Sequence, residues 1–109
     1  MVIAFAIAAA FVVAVVPTAG AGEVTCDGLT ATIVGTEGDD VIDGTPGNDV
    51  IAGLGGKDKI FAKGGDDVIC GGPGADEIRG GSGSDRIFGG KGGDTILGGS
   101  GDDEVHGKS

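Results

Sequence analysis

Residues 71–106 read GGPGADEIR, GGSGSDRIF, GGKGGDTIL and GGSGDDEVH, four nine-residue units that follow one another without a gap. Residues 35–70 continue the same phase upstream as GTEGDDVID, GTPGNDVIA, GLGGKDKIF and AKGGDDVIC. All eight units have glycine at position four, aspartate at position six and Ile or Val at position eight. Self-similarity at a fixed period is typical of repeat architectures, so the structural repeat should be nine residues long.

Each unit divides into a turn and a short strand. The first six residues are rich in Gly, Asp and Ser, which favour turns, and the last three favour a strand. Strand side chains alternate between faces, so the aliphatic residue at position eight should point inward. Two units then form one coil, with odd and even strands in two parallel sheets joined by right-handed crossovers. The sequence therefore predicts an all-β fold, a right-handed parallel β-roll (β-solenoid) of eight nonapeptide half-turns over residues 35–106.

The units resemble the GGxGxDxUx nonapeptide of the RTX (repeats-in-toxin) family, which forms calcium-binding parallel β-rolls. Units five to eight match the motif throughout, whereas the first four depart from it at position one or two. The departures are Thr36, Thr45, Leu54 and Lys63 at position two and Ala62 at position one. The resemblance implies a protein that folds on binding several Ca²⁺ ions between stacked Gly/Asp loops, with weaker binding expected in the first four.

Calcium takes six to eight oxygen ligands in a flexible geometry. Glycine lets a loop turn backbone carbonyls toward one point, and aspartate supplies negative charge. Loops two units apart should stack and pair their aspartates, which predicts up to six ions, with each middle aspartate giving one oxygen to each of two ions. The expected pairs are Asp40 with Asp58, Asp58 with Asp76 and Asp76 with Asp94 on one edge, and Asp49 with Asp67, Asp67 with Asp85 and Asp85 with Asp103 on the other. The predicted backbone ligands are carbonyls of loop residues including Gly71, Gly72, Gly74, Gly80, Gly81, Gly83, Gly89, Gly90 and Gly92.

The charge balance supports a cation ligand. The chain has 17 acidic and 7 basic residues and a net charge of -10, all of it at or after Glu23. A merely solvated acidic face is the alternative. The acidity and the lack of a basic patch argue against a nucleic-acid partner. With one aliphatic core residue per unit, we expect the chain to be largely disordered until calcium binds.

Residues 1–21 are predicted to be a signal peptide. An uninterrupted apolar run extends from Val2 to Val16, and Ala19, Gly20 and Ala21 form an A-x-A cleavage pattern. An uncleaved membrane anchor is the rival interpretation, although the run is shorter than the ~20 residues that a spanning helix needs. Both interpretations imply export, and cleavage would leave a secreted, extracellular protein without a membrane span.

Residues 22–34 are predicted to form a linker and a capping unit. In phase with the repeats, Cys26 to Val34 reads CDGLTATIV, which keeps Ile33 at the inward position but has Ala31 in place of the aspartate. Leu29 or Ile33 could cover the end of the core, as terminal units of repeat arrays do. Residues 107–109 are the start of an incomplete ninth repeat.

Two cysteines in an exported chain suggest a disulfide between Cys26 and Cys70. Such a bond requires residues 23–32 to fold back along the outer surface of the roll. Free thiols and a link between chains are the alternatives. A zinc site is disfavoured because His106 is the only histidine and is remote in sequence from both cysteines.

Three classes of function remain. The leading one is a secreted calcium-binding protein without enzymatic activity, because His106 lies at an outward, variable position and no catalytic motif is present. Its protein or cell-surface partner is unknown. The alternative is an accessory calcium-dependent roll or fragment of a larger secreted enzyme, toxin or adhesin. Ice or surface adhesion is disfavoured because the residues at positions seven and nine vary from unit to unit and so do not form a flat, regular face.

Overall fold

The computed structural model describes residues 11–12 and 24–107 of the chain. Every repeat unit contributes one short strand, and successive strands alternate between two parallel sheets. The first sheet consists of β1 (Phe11–Val12), β5 (Val41–Asp43), β7 (Lys59–Phe61), β9 (Glu77–Arg79) and β11 (Thr95–Leu97). The second consists of β4 (Ile33–Val34), β6 (Val50–Ala52), β8 (Val68–Cys70), β10 (Arg86–Gly90) and β12 (Glu104–Gly107). The described residues contain no helix, which confirms the all-β prediction.

The strands pair in a constant register of two units. Ile42 pairs with Ile60, and Ile60 pairs with Ile78. In the second sheet Ile51 pairs with Ile69 in the same way. Each position therefore lies directly above the same position of the unit two places earlier, and the chain forms a β-solenoid of about four turns. This stacking also brings equivalent loop residues together along the two edges of the roll.

The core is a double ladder of position-eight residues between the two sheets. Its seven buried members are at most 2% exposed, as the alternation of strand side chains predicts: Ile33, Ile42, Ile51, Ile60, Ile69, Ile78 and Ile87. The ladder is less covered in the last coil, where Ile96 is partly buried and Val105 is 48% exposed. Among the described strands, β11 and β12 pair on one side only, which leaves this layer open.

A small hairpin covers part of the outer face of the second sheet. β2 (Thr25–Cys26) and β3 (Leu29–Thr30) pair antiparallel, and β2 contacts β6 and β8. Asp27 and Gly28 at its tip have φ of 56° and 81°, as a two-residue turn with matching twist requires. Cys26 is bonded to Cys70 with their Cα atoms 5.8 Å apart, so this segment does fold back over the roll.

Of the two residues predicted to cover the end of the core, only Ile33 joins it. Ile33 is buried and pairs with Ile51, so it extends the aliphatic ladder by one layer. Leu29 does not cover the end of the core, because the hairpin places it on the outer surface, where it is 47% exposed. Ala31 occupies the aspartate position and is itself buried.

Most of the predicted signal peptide lies outside the described residues. Its Phe11–Val12 segment forms β1 and pairs in parallel with β5, through Phe11 with Val41 and Val12 with Ile42. In the described part of the chain, no helix is long and apolar enough to cross a membrane.

Candidate metal centre

The aspartates at position six form two columns, one along each edge of the roll. The N–H of Asp40 donates a hydrogen bond of 2.9 Å to Oδ1 of Asp58, which lies two units later. The same bond, 2.7 to 2.9 Å long, recurs from Asp49 to Asp67, Asp58 to Asp76, Asp67 to Asp85, Asp76 to Asp94 and Asp85 to Asp103. The structure therefore brings together all six aspartate pairs that the repeat predicts.

These carboxylates are buried. Six of the eight are 5% exposed or less: Asp40, Asp49, Asp58, Asp67, Asp76 and Asp85. A solvated acidic face would leave such side chains in water, so that alternative is wrong for these six. A buried carboxylate requires compensation by hydrogen bonds or by a cation.

One oxygen of most of these carboxylates has no such compensation. Oδ1 accepts the backbone bond from the unit two places earlier, but within the described residues five buried Oδ2 atoms have no hydrogen-bond partner: those of Asp58, Asp67, Asp76, Asp85 and Asp94. Leaving one buried acceptor unsatisfied costs about 1–3 kcal/mol, and more when the group is charged. Because the five oxygens occupy equivalent positions, they are a property of the repeat rather than a local defect.

Beside three of the unpaired oxygens, those of Asp58, Asp76 and Asp85, the position-one glycine also lies close to a backbone carbonyl of the next stacked loop. A Cβ atom on Gly53 would lie 2.7 Å from Oδ2 of Asp58 and 2.8 Å from the carbonyl oxygen of Gly71. One layer further, a Cβ atom on Gly71 would similarly lie 2.6 Å from Oδ2 of Asp76 and 2.8 Å from the oxygen of Gly89. A carboxylate oxygen and a carbonyl oxygen of the next loop therefore lie within reach of the same point, and the same arrangement occurs at Gly35 and Gly44 in the first two loops.

Further carbonyls point along the stack at position four. A Cβ atom on Gly74 would lie 2.0 Å from the oxygen of Gly56, and one on Gly83 would lie 2.1 Å from the oxygen of Gly65. Gly74 and Gly83 also have φ of 119° and 107°, which a residue with a side chain adopts only under strain. Glycine is therefore required here for both the backbone turn and the close approach of the next loop.

The donor set fits calcium. Among the described residues, no three His, Cys, Asp or Glu side chains come together as a metal-binding group. A cation between two loops would therefore take one or two carboxylates and complete its shell with backbone carbonyls and water. Ca²⁺ accepts such a flexible six- to eight-oxygen shell, whereas Mg²⁺ needs near-ideal octahedral geometry. The unpaired oxygens and the carbonyls turned between loops match that requirement.

The pKa values of the buried aspartates also favour a bound cation. Burial raises the pKa of Asp58 to about 7, against the lowering effect of the hydrogen bond from the Asp40 backbone, and the neighbouring carboxylates raise it further. Burial likewise raises the pKa of Asp67 to about 7 and that of Asp76 to about 6. A site that disfavours ionised carboxylates in this way is one in which a bound cation would be strongly stabilising.

The loops of units one and two are built differently. Oδ2 of Asp40 accepts a 2.7 Å hydrogen bond from the N–H of Thr36, and the Thr36 hydroxyl donates to Oδ1 of the same carboxylate at 2.9 Å. Thr45 makes the equivalent bonds of 2.8 and 2.9 Å to Asp49. These carboxylates therefore have partners within their own loops. Threonine at position two is a visible sequence signal, but only the structure shows what its hydroxyl contacts.

A second contact that the repeat did not predict involves position five. Oδ1 of Asp39 accepts a 2.8 Å bond from the N–H of Lys57, and Oδ1 of Asn48 accepts a 2.7 Å bond from the N–H of Asp66. Asp66 in turn accepts a 2.9 Å bond from the N–H of Ser84. Asp or Asn at position five thus ties one loop to the loop two units later. The sequence signal is an Asx residue directly before the position-six aspartate.

His106 lies at position nine on the outer surface of the second sheet. Its ring stacks on Phe88 with centroids 4.8 Å apart, and its Nε2 is 3.6 Å from Oε1 of Glu104. Glu104 also accepts a 2.8 Å bond from Nε of Arg86, whose Nη1 pairs with Asp27 at the hairpin tip. These contacts hold β10, β12 and the hairpin together and are separate from the stacked loops.

Comparison with known proteins agrees with the geometry. A family model described as RTX calcium-binding nonapeptide repeat (4 copies) matches residues 34–69 and 71–105. No curated protein and no solved structure matches the chain. The matched segments contain all eight position-six aspartates and both columns of stacked loops.

Proposed function

The chain belongs to the RTX calcium-binding nonapeptide repeat family, and from that premise we propose that it is an exported protein that binds several calcium ions between its stacked loops and folds as it binds them. The observation that carries this proposal is the set of five buried, unpaired Oδ2 atoms, three in one column and two in the other, in phase with the family motif. Calcium bound beside them would supply positive charge and accept up to eight oxygen ligands.

The proposed calcium ligands are side-chain and backbone oxygens of this chain. The proposed side-chain ligands are the position-six aspartates with unpaired oxygens, and the proposed backbone ligands are carbonyls of the glycine-rich loops stacked above them. The Oδ1 bond to the neighbouring backbone orients each carboxylate and joins consecutive sites in one column. We therefore expect binding at one site to order the next loop, and calcium binding and folding to be cooperative.

Calorimetric titration of the purified protein with calcium, followed in parallel by far-ultraviolet circular dichroism, tests this proposal. We expect several ions to bind as β signal is gained, and magnesium to give a much weaker response. Removal of calcium with a chelator should reverse both changes. A chain that keeps the same spectrum with and without calcium and releases no heat would refute the calcium assignment.

The proposed export has a separate test. The full chain, expressed in a secreting bacterial host, should appear in the medium with an intact mass that begins at Gly22. A control variant carrying Ala8→Asp and Ala9→Asp interrupts the apolar run and should remain unprocessed in the cells. Equal secretion of the two forms would contradict the signal-peptide prediction without affecting the calcium proposal.

A further inference from the structure

The four units that depart from the family motif at position two fall into two structural groups. Leu54 and Lys63 adopt φ of 71° and 80°, close to the values at the glycines that occupy position two of the later units. Thr36 and Thr45 do not have positive φ, and neither do the position-four glycines of their loops, Gly38 and Gly47. Units three and four thus keep the open loop of units five to eight despite a side chain there, whereas units one and two adopt another conformation.

The threonine loops are closed by their own hydrogen bonds. In unit one the hydroxyl of Thr36 also accepts a 3.1 Å bond from the N–H of Gly38, in addition to its bonds to Asp40. In unit two the hydroxyl of Thr45 accepts the same 3.1 Å bond from Gly47. One hydroxyl therefore bridges the loop backbone and the carboxylate, which is what a cation would do in an open loop.

The threonine loops supply hydrogen-bond donors to the buried carboxylates of Asp40 and Asp49. Both are buried like the aspartates of units three to six, at 2% and 5% exposure. Their Oδ2 atoms nevertheless have hydrogen-bond donors, whereas the Oδ2 atoms of Asp58 and Asp67 have none. In these two loops the buried charge is compensated without an ion.

We propose that Thr36 and Thr45 take the place of calcium in the first two loops, so that ions bind only where an open loop faces another open loop. This inference rests on the proposed calcium binding. The gaps that qualify lie between the loops of units three and five, four and six, five and seven, and six and eight. Their unpaired oxygens belong to Asp58, Asp67, Asp76 and Asp85, whereas the loop of Asp94, the fifth, faces no further loop among the described residues. Four ions are expected rather than the six that counting aspartate pairs predicts, and the first coil is an ion-independent cap.

Ion counting by native mass spectrometry of the calcium-saturated full chain, with and without its disulfide intact, tests this inference. The unmodified protein should bind four ions. The double variant Thr36→Gly and Thr45→Gly removes both hydroxyls and permits positive φ, so it should bind six. The matched control Lys63→Gly makes the same replacement at position two of an open loop and should leave the count at four.

A second measurement follows the loops themselves instead of counting ions. As calcium is withdrawn stepwise with chelator, the backbone N–H groups of Thr36, Gly38, Thr45 and Gly47 should stay protected from deuterium exchange at lower free calcium than the equivalent amides of units five and six. The reason is that the threonine loops have hydrogen-bond partners that do not require an ion. The double variant should lose this difference. A slower exchange that persists in the double variant would contradict the proposal.

The outcomes separate this inference from the function on which it rests. Six ions on the unmodified protein, or four on the double variant, would overturn the role of the threonines while leaving calcium binding intact. No specific calcium binding by either protein would overturn the proposed function itself. Four ions on the unmodified protein and six on the double variant would establish both.

Discussion

The backbone N–H of Asp40 donates to Oδ1 of Asp58 at 2.9 Å, while Oδ2 of Asp58 is buried without a partner. The two oxygens of one carboxylate thus have different roles. Oδ1 fixes the side chain against the previous coil, and Oδ2 is left for a cation in the next gap. This division repeats along both edges of the roll, so the buried Oδ2 atoms without a hydrogen-bond donor lie in two columns.

The Asp76→Asn variant tests the role of Oδ2. Asparagine keeps an Oδ1 acceptor for the N–H of Asp58 but replaces the unpaired Oδ2 with an NH₂ group, which cannot coordinate a cation. We expect calcium affinity to fall by more than the 10- to 100-fold typical of losing an outer-shell partner. Calorimetric titration measures this change. The exposed Asp102→Asn is the control with the same loss of charge, and equal effects of the two variants would contradict the assignment.

The Gly74→Ala variant tests the stacking of the loops. Its Cβ would lie 2.0 Å from the oxygen of Gly56, on a residue with φ of 119°. Backbone strain of this kind costs on the order of 1–3 kcal/mol, and the clash adds to it. The calcium-bound form should therefore lose thermal stability, as measured by scanning calorimetry.

Gly38→Ala is the matched control for that variant. Gly38 has no positive φ, and a Cβ atom there would meet only the Thr36 hydroxyl, at an ordinary 3.8 Å. Its stability should change by no more than about 0.5 kcal/mol. A loss as large as that of Gly74→Ala would show that the first loop is as tightly stacked as the later ones.

The disulfide should lower the calcium concentration needed for folding. Cys26 and Cys70 are 44 residues apart, and closing a loop of that size disfavours the unfolded chain by about 4 kcal/mol in the chain-entropy model. Reduction should shift the calcium midpoint of the circular dichroism transition upward severalfold. The double variant Cys26→Ser and Cys70→Ser should show the same shift and no response to reductant. An unchanged midpoint would indicate that the hairpin contributes nothing to folding of the roll.

Acid should partly replace calcium. The folded chain holds Asp58 and Asp67 with pKa raised from 3.8 to about 7 by burial, so it binds protons that the unfolded chain releases. This contribution to stability is present below the unfolded pKa and is lost as the pH rises from about 4 to 7. In calcium-depleted buffer, β signal should therefore increase as the pH is lowered from 7.5 to 4.5.

A control for the acid effect distinguishes protonation of Asp58 and Asp67 from a general decrease in the net negative charge of the chain. The double variant Asp58→Asn and Asp67→Asn removes two of the raised groups and should show a smaller pH response. In calcium-saturated protein the response between pH 6 and 7.5 should largely disappear, because the bound ions hold the carboxylates ionised. A variant with the full pH response would assign the effect to general charge repulsion.

The nine-residue phase by itself determined which residues form strands, that position eight faces inward, and which aspartates meet across the coils. These properties follow from the local geometry of a strand and from a repeat without insertions, so they can be predicted from residues such as Ile60, Asp58 and Asp76. The tertiary structure decided what each oxygen atom contacts. It placed Leu29 outside the core, joined Cys26 to Cys70 across the second sheet, and gave Thr36 the hydrogen bonds that Asp58 lacks. Such contacts depend on how coils 18 residues apart stack and on the backbone conformation of each loop, which no single unit of the sequence specifies.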